Sequence, residues 1–432
     1  MTISTAPMRW APDQLTLGQQ NTTLIDRLCA LLFALTPICQ HYYGLVENAG
    51  FTIYLIVFGI MLLRLFAHRF VRLRRLRPII PLVLFELYTV VVRLSSSFSR
   101  IFSAGFIIAV MALIFLGCLN LRYVFRYATV VGCIATYLVV IQYFCYYVLH
   151  RPVNFEPHGW LLPENSRWVV TIVYRPGSLY RPSGFFLEPS HIFLYCFPLI
   201  CLLLLLPGVD RARKRSAAIM SVGVILSTSG MGIAVVVGLW SLYELLYRSG
   251  REMTAQKRMK KLFTRKNALI LIAIIAVLIV AYLTLPFLRR AVNRIFVVES
   301  GTSAIAGRTR RASNYIRRIT GSAVLWGQAG VNSSVDFSTS GFFATYIRWG
   351  VIGLALSYLF YVQSVVRLRG AYRWLAILLI LLSFFTAHTH GTYYMLFFMT
   401  FLADGYMQQM RAAQRPRTAE AAGVLNPALR SG

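Results

Sequence analysis

The densest chemistry in this chain falls in one stretch, Arg181-Pro-Ser-Gly-Phe-Phe-Leu-Glu-Pro-Ser-His191, with a long hydrophobic run directly behind it. Glu188 precedes a proline, and proline is favoured at the first helical position because the N–H it lacks had no intrahelical partner. The spacing therefore predicts Glu188 as an N-cap and His191 in the first turn, with both side chains able to face one pocket. The positive end of that helix dipole suits an anion. Glu188 is the candidate base, and Arg181 either holds it in place or binds phosphate. The plainer alternatives are that Glu188 only caps the helix and that His191 is only an interfacial polar residue.

A second cluster lies in residues 288–340. Eight arginines (289, 290, 294, 308, 310, 311, 317 and 318) and no lysine stand there against Glu299 and Asp336. A helix over 307–319 puts Arg310, Asn314 and Arg317 on one face, with Arg311 and Arg318 beside them and Ala312, Ile316 and Ile319 opposite. Such a helix can rest on anionic headgroups, or its arginines can clamp a lipid-linked pyrophosphate. The absence of lysine favours the clamp, since planar guanidinium forks match phosphate oxygens and a simple surface attraction does not need them.

Other polar residues carry weaker signals. Glu86 lies mid-span and can pair with Arg93; an intramembrane acid is a functional candidate by default. Arg348 can snorkel to an outer surface. His388 and His390 flank a short turn, and Ser-Thr-Ser-Gly at 227–230 reads as a packing break. No phosphate-binding loop, dinucleotide fingerprint or zinc-protease motif is present, so no cofactor and no metal are expected. The seven cysteines lie in or beside apolar runs without metal-site spacing.

The elements that position these residues are set by composition. Of 432 residues, 57% are hydrophobic and 13% charged, where a soluble domain averages about 25% charged. This is the composition of a polytopic membrane protein. The net charge of +30 needs no nucleic-acid partner, because most basic residues sit in short linkers between apolar runs. Apolar runs fall at about 28–45, 50–66, 78–95, 101–119, 127–149, 190–207, 217–247, 267–287, 341–362, 373–388 and 391–407. The run 217–247 is too long for one crossing. A single crossing would also put the linker 248–266, with eight Lys/Arg, on the side where positive charge is disfavoured. Splitting it at 227–230 restores the register.

The predicted fold is an all-α polytopic membrane protein of about twelve transmembrane helices. It forms a single domain over 1–407 with a flexible cytoplasmic tail at 408–432, and both termini are cytoplasmic. The first two dozen residues lack the pattern of a cleaved signal peptide, so the first span is expected to serve as the insertion signal. Two long external loops, about 150–189 and 288–340, carry the two clusters above.

With these motifs in hand the chain resembles the Wzy-type bacterial oligosaccharide repeat-unit polymerases, within the O-antigen polymerase and ligase superfamily. The resemblance rests on Arg181-Pro-Ser-Gly-Phe-Phe-Leu-Glu-Pro-Ser, on the hairpin with Ser227-Thr-Ser-Gly230, and on the Arg-rich loop. That loop closes with Trp326-Gly-Gln-Ala-Gly330, before Gly341 opens a span containing Trp349-Gly350. The twelve-span plan is the fourth feature, and together these cover about residues 130–360. Relatives often carry a Ser-Arg-Gly-like turn where this chain has Gly230-Met231.

The resemblance implies a glycosyltransferase of the bacterial plasma membrane that needs neither metal nor nucleotide. It would move a glycan from undecaprenyl pyrophosphate to a lipid-linked repeat unit on the outer face, making O-antigen, capsule or exopolysaccharide. Arg308, Arg310, Arg311 and Arg317 would bind the pyrophosphate; Glu188, His191 and Arg181 would be catalytic. Family polymerases carry Arg-x10-Gly patterns in their external loops, and Arg310 with Gly321 has that spacing. Membrane lipid, a chain-length regulator and a flippase are the implied partners. An O-antigen ligase is the runner-up, but ligases place a catalytic histidine in the second loop, and residues 288–340 contain none. A flippase or transporter of the same lipid-linked sugar is the alternative of another class; transporters tend to show broken helices in matched halves, and the sequence offers one broken run.

Overall fold

A computed structural model of the chain describes residues 23–40, 42, 49–67, 73–92, 98–153, 155, 180–186, 188–227, 230–244, 313–317, 319–328, 340–386 and 392–424, with isolated positions between 276 and 289. The architecture is all-helical, and no strand occurs among the described residues. In chain order the helices are α1 (Leu24–Cys39), α2 (Ala49–Ala67), α3 (Ile80–Val92), α4 (Phe98–Leu116), α5 (Leu121–Tyr147), α6 (Pro189–Leu205), α7 (Arg211–Leu226), α8 (Gly230–Leu242), the single turn α9 (Ala323–Trp326), α10 (Gly341–Arg367), α11 (Ala371–Ser383) and α12 (Thr392–Val424). A 3-10 stretch, Leu73–Ile79, feeds α3.

Three of these, α2, α5 and α10, are long and apolar enough to cross a membrane. Helices α6, α8 and α11 and residues 101–116 of α4 are apolar but shorter. At 1.5 Å per residue a 13-residue helix such as α8 or α11 spans about 20 Å against a hydrocarbon core of about 30 Å. The predicted loops at 150–189 and 288–340 and the run 267–287 lie mostly outside the described residues. The run 217–247 does separate into two helices, with α7 ending at Leu226 and α8 starting at Gly230. Helix α12 continues to Val424, past the boundary at 407 where the sequence places the end of the membrane domain.

Helix α6 lies at the centre. Every residue from 191 to 205 is buried, in contact with α5, α7, α8, α11 and α12. Helices α5 and α7 approach closely where small residues face each other: a Cβ at Gly223 would collide with Thr136, and one at Gly132 would lie 2.7 Å from Met220 Sδ. Close backbone approach through small residues is the usual basis of helix association in lipid, where apolar burial alone gives no driving force between helices.

The bundle has two chemically different ends. At one, arginines meet helix C-terminal carbonyls: Arg64 donates to Cys118 O at 2.9 Å and pairs with Asp26 at 3.0 Å, Arg75 donates to Leu116 O, and Arg373 donates to Leu368 O. Cations satisfy the orphan carbonyls there and complement the negative end of the dipole. Arg27 over Tyr123 and Lys214 over Tyr243 belong to the same end.

Near this end Asp404 of α12 is 9% exposed. Its carboxylate accepts from Tyr372 of α11 and from Gln408, pinning two short-looped helices. Asp404→Ala strands the buried Tyr372 hydroxyl donor, at about 1–3 kcal/mol, while Gln408 keeps its bond to Tyr372 Oη. Thermal unfolding in detergent should show a loss of about 2 kcal/mol, and an unchanged midpoint would mean these bonds are not holding α11 to α12.

Candidate active site

The site stretch lies at the end opposite the arginine-capped carbonyls. Residues 180–186 form a strap pinned at several points. At its start, Tyr180 stacks on Tyr146 with centroids 4.3 Å apart, and its N–H donates to Tyr147 Oη at 3.0 Å. In the middle, Gln142 of α5 accepts from the N–H groups of Ser183 (3.1 Å) and Gly184 (2.8 Å) and donates to Gly184 O (3.2 Å). The turn closes with Phe186 N–H donating to Ser183 O. It requires glycine at 184, where φ is +67° and a Cβ would lie 2.9 Å from Ala135 O. Tyr42 then donates to Phe185 O at 3.0 Å, and the buried Phe186 ring packs on Tyr195. Arg181, half-buried, falls between the first two anchors.

Directly beyond the strap, α6 opens as the sequence predicts, with Glu188 at the N-cap in extended backbone and Pro189 at the first helical position. The Glu188 side chain makes no capping bond; its carboxylate instead accepts from Ser190 Oγ at 2.9 Å. The backbone carbonyl of Glu188 accepts the His191 N–H. Glu188 is half-buried, whereas His191 is 1% exposed. The His191 ring lies 5.8 Å from that of Tyr394 on α12, whose hydroxyl donates to His191 O. The strap and the start of α6 are thus carried by α1, α5 and α12.

The second cluster is described only in part. Arg308, Arg310 and Arg311 lie outside the described residues. Arg317 follows a helical turn over 313–316 and is exposed, as is Asn314, while Ile319 is buried against Ile347 with Ile316 and Val324 packed around them. The helix expected over 307–319 is described only from 313, and its helical turn ends at 316, short of Ile319.

This piece docks on a break in α10. Gly350 has φ +63°, and the helix is kinked there. The sequence reads this run as one uninterrupted span; the structure divides it. Gln328 N–H donates to Ile347 O at 2.9 Å, replacing a bond the break removes. Tyr88 of α3 donates to Trp349 O at 2.8 Å, and its ring stacks on Trp326. The two Trp-Gly pairs noted in the sequence therefore meet backbone to backbone: a Cβ at Gly327 would collide with Arg348 O, and one at Gly350 with Leu325 O. Gly341 N–H donates to Thr386 O, and Thr386 lies six residues before α12 starts, at most about 20 Å of chain. The first cluster and the described part of the second, residues 313–328, therefore occupy the same end of the bundle, the latter carried by α3 and α10.

No sequence motif marks Gln142, Tyr42 or Tyr88. Gln142 left a usable signal: an amide within an apolar span must find hydrogen-bond partners or be costly. Of the weaker candidates, Glu86 is buried and Arg348 half-buried, and His388 and His390 lie outside the described residues. Among the described residues no group of three or more His, Cys, Asp or Glu is arranged to hold a metal. In comparisons with known proteins, no family model matches the chain, and no curated protein matches it.

Proposed function

We propose that the chain is a polyprenyl-pyrophosphate-dependent glycan polymerase acting at the outer face of a bacterial plasma membrane, with about twelve crossings and both termini inside. The observation that carries this reading is Glu188, a carboxylate at the head of the central helix that does not cap it, adjoining a pinned strap that bears Arg181. A residue serving only as a cap would spend its side chain on the first-turn N–H groups. The two-ended charge pattern supports the orientation, because arginine-bearing linkers gather at the end opposite the strap.

In the proposed reaction a sugar hydroxyl of the acceptor attacks the anomeric carbon of the donor. Its proton passes to Glu188, the bond from the anomeric carbon to the pyrophosphate oxygen breaks, and the bonding pair leaves with undecaprenyl pyrophosphate. Arg181 and the arginines around Arg317 would stabilise that anion, and preorganised charge of this kind is usually the largest catalytic term.

Transport of the same lipid-linked sugar remains the competing class. The α10 break gives the chain a second interrupted helix, but the Ile347 and Trp349 carbonyls at the break are taken by Gln328 and Tyr88. Broken helices in transporters instead turn their ends toward a substrate cavity.

A gel of surface polysaccharide from a deletion strain tests the reading. Loss of a polymerase leaves single repeats, loss of a ligase leaves long chains on the carrier lipid, and loss of a flippase leaves units on the cytoplasmic side. Arg317→Ala is expected to weaken donor binding about tenfold to a hundredfold, as for loss of one or two hydrogen bonds to a charged group at about 1.5–3 kcal/mol. Normal chain length and donor affinity in that variant would remove Arg317 from the site.

A further inference from the structure

Gln142 stands in the second half of α5, among valines, isoleucines and tyrosines, and is wholly buried. Its amide engages two consecutive strap residues: the oxygen accepts the N–H groups of Ser183 and Gly184, and the nitrogen donates to Gly184 O. The strap does not depend on these bonds to stay docked. Tyr180 on Tyr146, Phe186 on Tyr195 and the fully buried α6 hold it on both sides. What Gln142 fixes, together with the Phe186 N–H to Ser183 O bond and the positive φ of Gly184, is the backbone course from Ser183 through Gly184. Arg181 lies two residues before that point and Glu188 four residues after Gly184.

We propose that Gln142 is a positioning residue: it sets the turn that aims Arg181 and Glu188 at one ligand, and it acts through the strap rather than by touching substrate. This rests on the polymerase reading above. A misplacement of about 1 Å can cost about a hundredfold in rate, so a loosened turn should lower turnover while leaving the donor's attachment to the remaining arginines nearly intact.

The test uses full-length protein in lipid nanodiscs and in a complemented deletion strain. Undecaprenyl pyrophosphate is the binding probe, and glycan chain extension is the rate readout. Gln142→Leu, which misaims Arg181 without removing it, is expected to weaken probe binding less than Arg181→Ala does and to extend chains about a hundredfold more slowly. Gln142→Glu keeps an oxygen that can accept both backbone N–H groups and should recover to within about tenfold. Gly184→Ala, which distorts the same turn with Gln142 intact, should reproduce the turnover loss and decides the matter if Gln142→Leu fails to accumulate. Wild-type extension by Gln142→Leu or by Gly184→Ala, or equal losses in the leucine and glutamate variants, would overturn the proposal.

Amide exchange separates this from the functional reading. The Ser183 and Gly184 N–H groups should exchange at least tenfold faster in Gln142→Leu whatever the protein's reaction is. Unchanged exchange ends the positioning role. A wild-type protein that neither binds the probe nor restores chain length, with exchange altered as expected, ends the polymerase reading and leaves the geometry standing.

Discussion

Glu188→Gln is expected to leave a complemented deletion strain with single repeat units on its surface, with the protein inserted at its normal level. Removing a general base costs typically about a hundredfold to ten-thousandfold in rate, enough to replace a ladder of long chains by one short band. Glutamine keeps the size of the side chain and can still accept from Ser190, the bond that the carboxylate now makes. The helix therefore loses little, because Glu188 contributes no side-chain capping bond to α6. Donor binding should change far less than turnover, since in the proposed reaction the arginines and not the carboxylate would meet the pyrophosphate. A residue that merely capped would give the opposite pattern: stability lower by about 1 kcal/mol and normal chain length. Gel length profiles together with an immunoblot for protein level separate the two, and full-length chains from Glu188→Gln would end its role as base. Arg181→Ala should give the same short band with weaker donor binding, because this residue is expected to meet the anion directly.

What could be read from the sequence here was local. Pro189 after Glu188 announced the start of α6 because proline's constraint acts on its own residue and its neighbour. The Ser-Thr-Ser-Gly step announced the split between α7 and α8 through charge placement and length. Gln142 sits inside the apolar run 127–149 with no local motif beside it, so its only signal is that a buried amide demands partners wherever it falls. The break in α10 was less accessible. Trp349-Gly350 inside an apolar run looks like an ordinary helical glycine, and nothing local says that Gly327, more than twenty residues earlier, will press against it. The interaction is between backbones, which carry no residue signature. Length and apolarity, by contrast, are local, and three described helices meet what a span requires.

Gly350→Ala is the second change expected to have a large effect, and it tests that hidden junction. At φ +63° an alanine pays about 1–2 kcal/mol for the left-handed backbone. Its methyl would also collide with the Leu325 carbonyl and lie 2.7 Å from Gly327 N. Neither atom belongs to a flexible side chain, so the clash cannot be relieved by a rotamer change, and the combined cost should exceed about 3 kcal/mol at this site. The chain has a cheaper alternative. With alanine, a straight α10 gains about 1 kcal/mol of helix propensity over glycine and regains the bond to Ile347 O that Gln328 now makes. Straightening detaches residues 325–328, frees the Tyr88 hydroxyl from Trp349 O and releases the turn carrying Arg317. The variant should therefore insert normally yet expose Arg317 to trypsin much faster than wild type, and it should extend glycans poorly. Gly59→Ala is the matched control, because a Cβ there meets nothing within 4 Å and α2 should be unchanged or slightly firmer. Equal trypsin sensitivity and equal thermal midpoints for the two variants would mean that the Trp-Gly pairs do not lock. A fast-cleaved Gly350→Ala protein with normal chain length would instead keep the lock and remove the Arg317 segment from catalysis.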